Sequence, residues 1–375
     1  MTTLLPADPK DIGLNPSRLQ NAYDLLRKWT IGPEAPIPGG AILVGRHGKI
    51  VAPRFFGRQG PEKKAEAIRK DGLFLLASIS KPLTYLGAMM LVERGQLNLS
   101  DKVTRYIPDF AANHKEETLV FHLFTHTSGM PDMIPDNAVL RRRHAPLKTF
   151  IEKAIAAQPL FPPGTDYSYQ SMGTLVVAEI IQRISGMSIR DYLSREIFHP
   201  LKMKSTALGS RGLDRGRLVR VQVPEYQIGS DFGWNSRYWQ EFGAPWGGVF
   251  SAPEDLARIC QLLLNKGELD GVRLLAPATV EAMSTNRFVD LPELPEVYRR
   301  AKPWGLGWRM NHRGTSGSWG DMLGPRTFGH TGATGTMCWI DPDRDGFCLL
   351  LTSGIRSRAP WRLVQLSNAV SAAFV

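Results

Sequence analysis

Apolar positions change period several times along the chain. After Asn15-Pro16, a helix start, Leu19, Ala22, Tyr23 and Leu26 recur at spacings of three and four up to Trp29, which predicts an amphipathic helix. From Gly40 to Gly57 the pattern becomes apolar AILV, a turn at Arg46-His47-Gly48, and a returning run IVAPRFF, which predicts a β-hairpin. The apolar run Leu73 to Ala77 leads into Ser78, and Leu83, Leu86, Gly87, Met90 and Leu91 mark a helix that ends near Gly95.

From there to about Asn235 short helical patterns alternate with loops. The clearest helix runs from about Ser171 to Ile184 and stops at Gly186, a left-handed cap position. A further amphipathic helix is predicted over Pro253 to Leu264, with Ser251 as its N-cap. The last hundred residues switch to short strands, Arg326–His330, Thr336–Ile340 and Gly346–Leu351, with DPDRDG as the hairpin turn between the latter two. A final helix is predicted over Pro360 to Phe374. No repeat, low-complexity tract or linker divides the chain. Strands at both ends with helices between predict one α/β (α+β) module: an antiparallel sheet flanked by terminal helices, plus an inserted helical lobe. The α/β lobe takes residues about 1–75 and 245–375, and the helical lobe about 76–244.

The 375 residues suffice for a large core without disulfides or a structural metal. Apolar residues at 43% and charged residues at 22% exclude wholesale disorder. No apolar run approaches the roughly 18 residues of a membrane-spanning helix. The opening residues lack the basic start and continuous apolar stretch of a secretory signal. Cys260, Cys338 and Cys348 are too few for a disulfide framework and read as small core side chains, although Cys338 and Cys348 could face each other across their hairpin. A reducing, cytoplasmic setting is expected. The net charge of +11 favours anionic partners in general. Its one tight basic cluster, Arg141 to His144, carries no interleaved aromatics, so nucleic acid is not the expected partner.

Candidate chemistry centres on Ser78-Ile79-Ser80-Lys81, an S-x-x-K pattern. Residues three apart on a helix share a face, so Lys81 can reach the Ser78 hydroxyl. A serine is a poor nucleophile until a base takes its proton, and a lysine is such a base only when neutral, which burial favours. A serine at a helix start also has backbone N–H groups pointing at any oxyanion formed there.

The blocks around this pattern are LASISKPLTYLGAMM, HLFTHTSGMP, FPPGTDYSYQSMGT, WGGVFSAPEDLARI, WGLGW and FGHTGATGTMCWIDP. Together they resemble the serine β-lactamase and penicillin-binding protein superfamily, most closely the class C β-lactamase-like carboxylesterases (family VIII type). The resemblance runs from about Ala41 to the C-terminus, with the blocks in the family's order. It implies a β-lactamase-like fold and a serine hydrolase acting on a small-molecule carboxylic ester, with no cofactor and no metal. The alternatives it leaves are a β-lactamase or a D-amino-acid (DD-) peptidase, or a non-catalytic scaffold of the same fold.

By the same resemblance Ser78 is the acyl-forming nucleophile and Lys81 its base or relay. The Y-x-N motif falls on Tyr169-Gln170-Ser171. Tyr169 shuttles protons with Lys81, as phenolate or hydroxyl; Tyr167 is the other register, but the spacing from Pro163-Gly164-Thr165 favours Tyr169. Ser171 stands where lactamases and peptidases carry asparagine, which suits an ester better than a lactam. The K-T-G motif appears as His330-Thr331-Gly332, an edge strand beside the serine. There a mostly neutral histidine replaces the lysine that attracts a substrate carboxylate, and it keeps one hydrogen bond to donate. Ala333 gives the second oxyanion N–H beside that of Ser78.

Other patterns carry less. His122 and His126 have a spacing that can bind zinc on a helix, but no glutamate follows His122, and the resemblance makes His126 part of a structural turn. The G-x-S-x-G elbow of α/β-hydrolases is missing. Trp234, Tyr238, Trp239 and Trp246 either line an acyl pocket or pack between lobes.

Overall fold

The computed structural model describes residues 4–312 and 320–375. Its main element is a seven-stranded sheet in the order Leu5–Pro6, Lys49–Gly57, Gly39–Arg46, Gly346–Thr352, Met337–Asp341, Phe328–Thr331, Arg309–Met310. Every pair is antiparallel except the first, which is parallel. The strand from the chain's end, Gly346–Thr352, lies against Gly39–Arg46 from its beginning, so both termini build one sheet.

Side chains alternate across this sheet, and both faces are covered. Leu43, Cys338, Ile340, Leu349 and Leu351 enter the large core shared with the central helices. Val44, Met337, Trp339, Cys348 and Leu350 face a second core, closed by the Pro16–Thr30 and Trp361–Ser371 helices through Leu19, Leu26 and Leu366. Two-sided burial explains why these strands read as continuous apolar runs. It also decides between the two cysteine readings in favour of core side chains: Cys338 pairs with Leu349 and Cys348 with Trp339, so the two thiols point into opposite cores and do not face each other. All three cysteines are buried and free.

The hairpin over residues 39–57 and its turn match the sequence reading, as does the Met172–Ser185 helix ending at Gly186 with φ 68°. Two expectations fail locally. Ser251 does not cap the Pro253–Leu264 helix, because it lies in the Val249–Ser251 strand with its hydroxyl on Thr206; the cap position is Ala252. The Phe328–Thr331 strand is not the sheet's edge, because Arg309–Met310 pairs beyond it. That pairing stops at Gly329, so His330 and Thr331 lie past it, toward the serine.

A small second sheet, missed in the sequence because its strands are two or three residues long, holds the segment before Ser78. Phe74–Leu75 pairs with Val249–Ser251, which also pairs with Ala207–Leu208. No helix among the described residues is long and apolar enough to cross a membrane.

Candidate active site

Ser78 is clamped from two sides. Behind it, the Leu76 amide donates to Val249 O (2.8 Å), and the Val249 amide donates to Ser80 Oγ (3.0 Å). In front, Thr334 Oγ1 donates to Leu75 O and Thr336 Oγ1 to Leu76 O, both at 3.0 Å. Between these clamps Ala77 has φ 50°, a left-handed conformation unusual for a residue with a Cβ. Such strain costs on the order of 1–3 kcal/mol and persists only where the surroundings hold it. It turns the chain into a one-turn 3₁₀ helix, Ala77–Ile79, that continues as the Ser80–Glu93 helix and puts Ser78 at the cavity.

Gly332 makes the approach of the third motif possible. A Cβ there would lie 2.1 Å from Thr336 Oγ1 and 2.5 Å from Leu76 O. The Gly332 carbonyl accepts from the Gly335 amide (3.1 Å), which fixes the plane of the peptide carrying the Ala333 N–H. Ala333 and Ser78 line the same cavity.

Lys81 is wholly buried. Its Nζ donates to Trp246 O (3.1 Å) and stands 3.2 Å from Ser78 Oγ. Burial brings its pKa down to about 7, against an opposing pull from the Asp132 carboxylate. Tyr169 completes the group: it hydrogen-bonds with Ser78, and its ring centre is 4.6 Å from Lys81 Nζ. Burial raises the Tyr169 hydroxyl well above the ordinary phenol range, more than the Ser78 hydrogen bond lowers it, so the resting form is the phenol rather than the phenolate. Tyr167 stands one ring away, against Phe288 and Tyr298, and makes neither contact.

Ser171 lines the cavity with its hydroxyl already committed, donating to Asp132 Oδ1 at 2.6 Å. His330 is 3% exposed, and its Nδ1–H donates to the carbonyl of Thr331 (2.8 Å). Burial, then the charge of Lys81, push its pKa down to about 3, with Arg309 and Arg356 adding to the effect. One expectation is corrected. The N–H expected for substrate is spent on the backbone, leaving Nε2 as an acceptor without a partner among the described residues. The ring is neutral, as expected, and stays so through the range in which an ordinary histidine titrates.

His122 and His126 serve backbone. His122 Nδ1 accepts from the Leu119 amide (3.2 Å), and His126, at φ 61°, closes the Val120–Thr125 helix and accepts from the Gln170 amide (3.3 Å). The His126 ring packs against Tyr169 and Trp304, with centres 4.8 and 4.6 Å away. The structural turn therefore also seats the tyrosine.

Ser78, Tyr169, Ser171, His330 and Ala333 line one cavity of about 740 Å³. Trp234, Trp239 and Trp246 line it, whereas Tyr238 turns away, stacking on His144 and donating to Ala145 O. Sequence reasoning missed Asp132 and Arg356. Asp132 sits in a loop with no periodicity, and Arg356 is held at the site by its amide, which donates to Ala333 O (2.8 Å), and by Nη1, which donates to Thr331 Oγ1 (2.5 Å). Arg356 gives the third motif a permanent cation, which the histidine does not.

The beta-lactamase family model matches residues 26–370.

The chain belongs to the beta-lactamase family.

One curated relative, a putative D-alanyl-D-alanine carboxypeptidase of Salmonella agona, is 26% identical over 373 residues, covering 90% of this chain and 83% of its own. A penicillin-binding protein homologue from Caulobacter crescentus superposes with a TM-score of 0.77 at 22% identity, over 96% of this chain and 99% of that one. A family VIII carboxylesterase superposes with a TM-score of 0.74 at 18% identity, over 94% and 97%. At those identities the two structures establish the shared fold, and the beta-lactamase-family core predicted from the sequence is present.

Proposed function

We propose that this member of the beta-lactamase family is a serine hydrolase of small carboxylic esters, working at the junction of a lobe of residues about 1–75 with 245–375 and a lobe of residues about 76–244. One observation carries the reading: Lys81, buried and with its pKa brought down to about 7, holds Nζ 3.2 Å from Ser78 Oγ. At neutral pH a large share of that amine is unprotonated and can accept the serine proton. Ser78 Oγ then bonds to the ester carbonyl carbon. The oxyanion is received by the amides of Ser78 and Ala333. Its collapse breaks the bond to the alcohol oxygen, which takes a proton from Lys81 through the Tyr169 hydroxyl. Water, deprotonated by the same relay, attacks the acyl-enzyme and releases the acid and Ser78. Esters are favoured over lactams because Ser171 lacks the paired amide of asparagine and its hydroxyl is engaged by Asp132.

Arg356 favours a second reading. Beside Thr331 it can hold a carboxylate, as a DD-peptidase or β-lactamase needs, and the Salmonella relative carries such a name. Of the two lactam contacts expected to be lost, only the Ser171 contact then remains missing, worth roughly one to two decades in kcat/KM. The test is a panel of p-nitrophenyl acetate and butyrate, a chromogenic cephalosporin and a D-alanyl-D-alanine peptide, with mass spectrometry of the trapped acyl-enzyme. Simple esters should lead by roughly tenfold or more, with the adduct on Ser78. A cephalosporin or peptide turned over as well as the best ester would replace the ester reading with the second one.

A further inference from the structure

The basic cluster at residues 141–144 is split by the fold. Arg142, Arg143 and His144 are on the surface, whereas Arg141, in the short Asn137–Arg142 helix, is 5% exposed and lines the cavity that holds Ser78. Its guanidinium lies 4.2 Å over the Trp239 ring, and Nη2 donates to Phe232 O (2.9 Å). Nε is buried without a partner, and no carboxylate pairs with the guanidinium among the described residues. A guanidinium has five N–H donors, and removing it from water without an anion is costly.

Its position relative to the serine follows from a chain of contacts. Lys81 Nζ touches Ser78 and the carbonyl of Trp246, the Trp246 ring is 6.4 Å from that of Trp239, and Trp239 carries Arg141 on its face. An apolar indole wall therefore runs from the nucleophile and ends at a buried guanidinium that has no carboxylate partner among the described residues. Arg356, at Thr331, lies on the third-motif side. It is separate from this wall.

We infer that Arg141 is a specificity-determining residue, and that the acyl group this site takes has an apolar body lying along Trp246 and Trp239 and a carboxylate at its far end, received by the Arg141 guanidinium. The substrates are thus half-esters of medium-length dicarboxylic acids. The inference rests on the esterase reading and deepens it.

The test compares mono-p-nitrophenyl esters of glutarate, adipate and suberate with the same diesters methyl-capped at the distal acid, on the wild-type protein, Arg141→Met and Arg141→Lys. In the wild type at least one free acid should exceed its capped partner in kcat/KM by roughly ten- to a hundredfold, mainly through KM. Arg141→Met should bring that ratio to about one, and Arg141→Lys should keep part of it because a charge remains. Calorimetric titration of the same proteins with free suberate reads the contact without turnover and serves also if one variant folds poorly. Ester turnover with no preference for the free acid, or a preference unchanged in both variants, overturns the inference and leaves the esterase reading intact. Absence of ester turnover together with suberate binding that depends on Arg141 overturns the esterase reading alone. Absence of that binding sinks the inference in either case.

Discussion

Lys81 Nζ and Ser78 Oγ stand 3.2 Å apart around a lysine that has no solvent-exposed surface. The distance gives proton transfer a path, and the burial gives the lysine its base form. The charged amine dominates below about 7 and the neutral amine above it. Acylation by p-nitrophenyl acetate should therefore rise about tenfold per pH unit on the acid side and level off above about 7. A stopped-flow pH profile of kcat/KM checks this, and a flat profile from pH 5 to 9 would remove Lys81 as the base.

Asp132 should displace that limb in a definite direction. Its carboxylate favours the charged lysine and so opposes burial. In Asp132→Asn the opposing pull disappears, Lys81 loses its proton more readily, and the acid limb moves to lower pH. Relative activity at pH 6 should rise over the wild type, provided rates are normalised to each plateau because Ser171 also loses an ionic acceptor. A limb moved upward would contradict the electrostatic assignment.

Lys81 and Tyr169 both contact Ser78, so they form one relay rather than two independent aids. Lys81→Ala and Tyr169→Phe should each slow acylation by roughly three orders of magnitude, and the double variant should be little worse than the poorer single one. Additive losses in a kinetic double-mutant cycle would place Tyr169 outside the relay.

Gly332→Ala tests the close approach of the third motif to the serine segment. The new methyl would meet Thr336 Oγ1 and Leu76 O at 2.1 and 2.5 Å, and Leu76 O is a backbone atom held in the clamp before Ser78. Separation of the two segments should cost about 1–3 kcal/mol of stability. It should cost more in rate, because the Ala333 and Ser78 amides would move apart. Thermal unfolding measured beside kcat separates the two effects, and an unchanged kcat would show that the spacing does not matter to the oxyanion.

What the sequence displayed and what it hid divide along physical lines. Ser78 and Lys81 were legible because helical spacing alone brings them to one face. The terminal strands were legible because burial on both faces leaves unbroken apolar runs such as Phe347 to Leu351. Asp132 and Arg356 were not, since each is held at the site by contacts distant in sequence that leave no local period. How far burial shifts His330 was out of reach for a related reason. Its residue type was visible, but the carbonyl that takes its N–H and the cations around it depend on the fold.

That shift yields the sharpest remaining test, because an acid limb near 7 has two candidate owners. An unperturbed histidine titrates at about 6.5, close to the value of about 7 to which burial brings Lys81. A pH profile alone does not tell them apart. The structure does: His330 remains neutral down to about 3, and burial takes His126 well below its usual range and His122 to about 4. None of the three changes charge on the limb. His330→Gln exchanges one neutral side chain for another and leaves the field at Lys81 nearly as it was. Its limb should keep the wild-type midpoint even if the plateau falls from altered packing against Tyr169 and Trp304. Kinetic titration of the wild type and His330→Gln from pH 4 to 9 decides the matter. Loss of the limb in His330→Gln would give the titration to the histidine and take the role of general base away from Lys81.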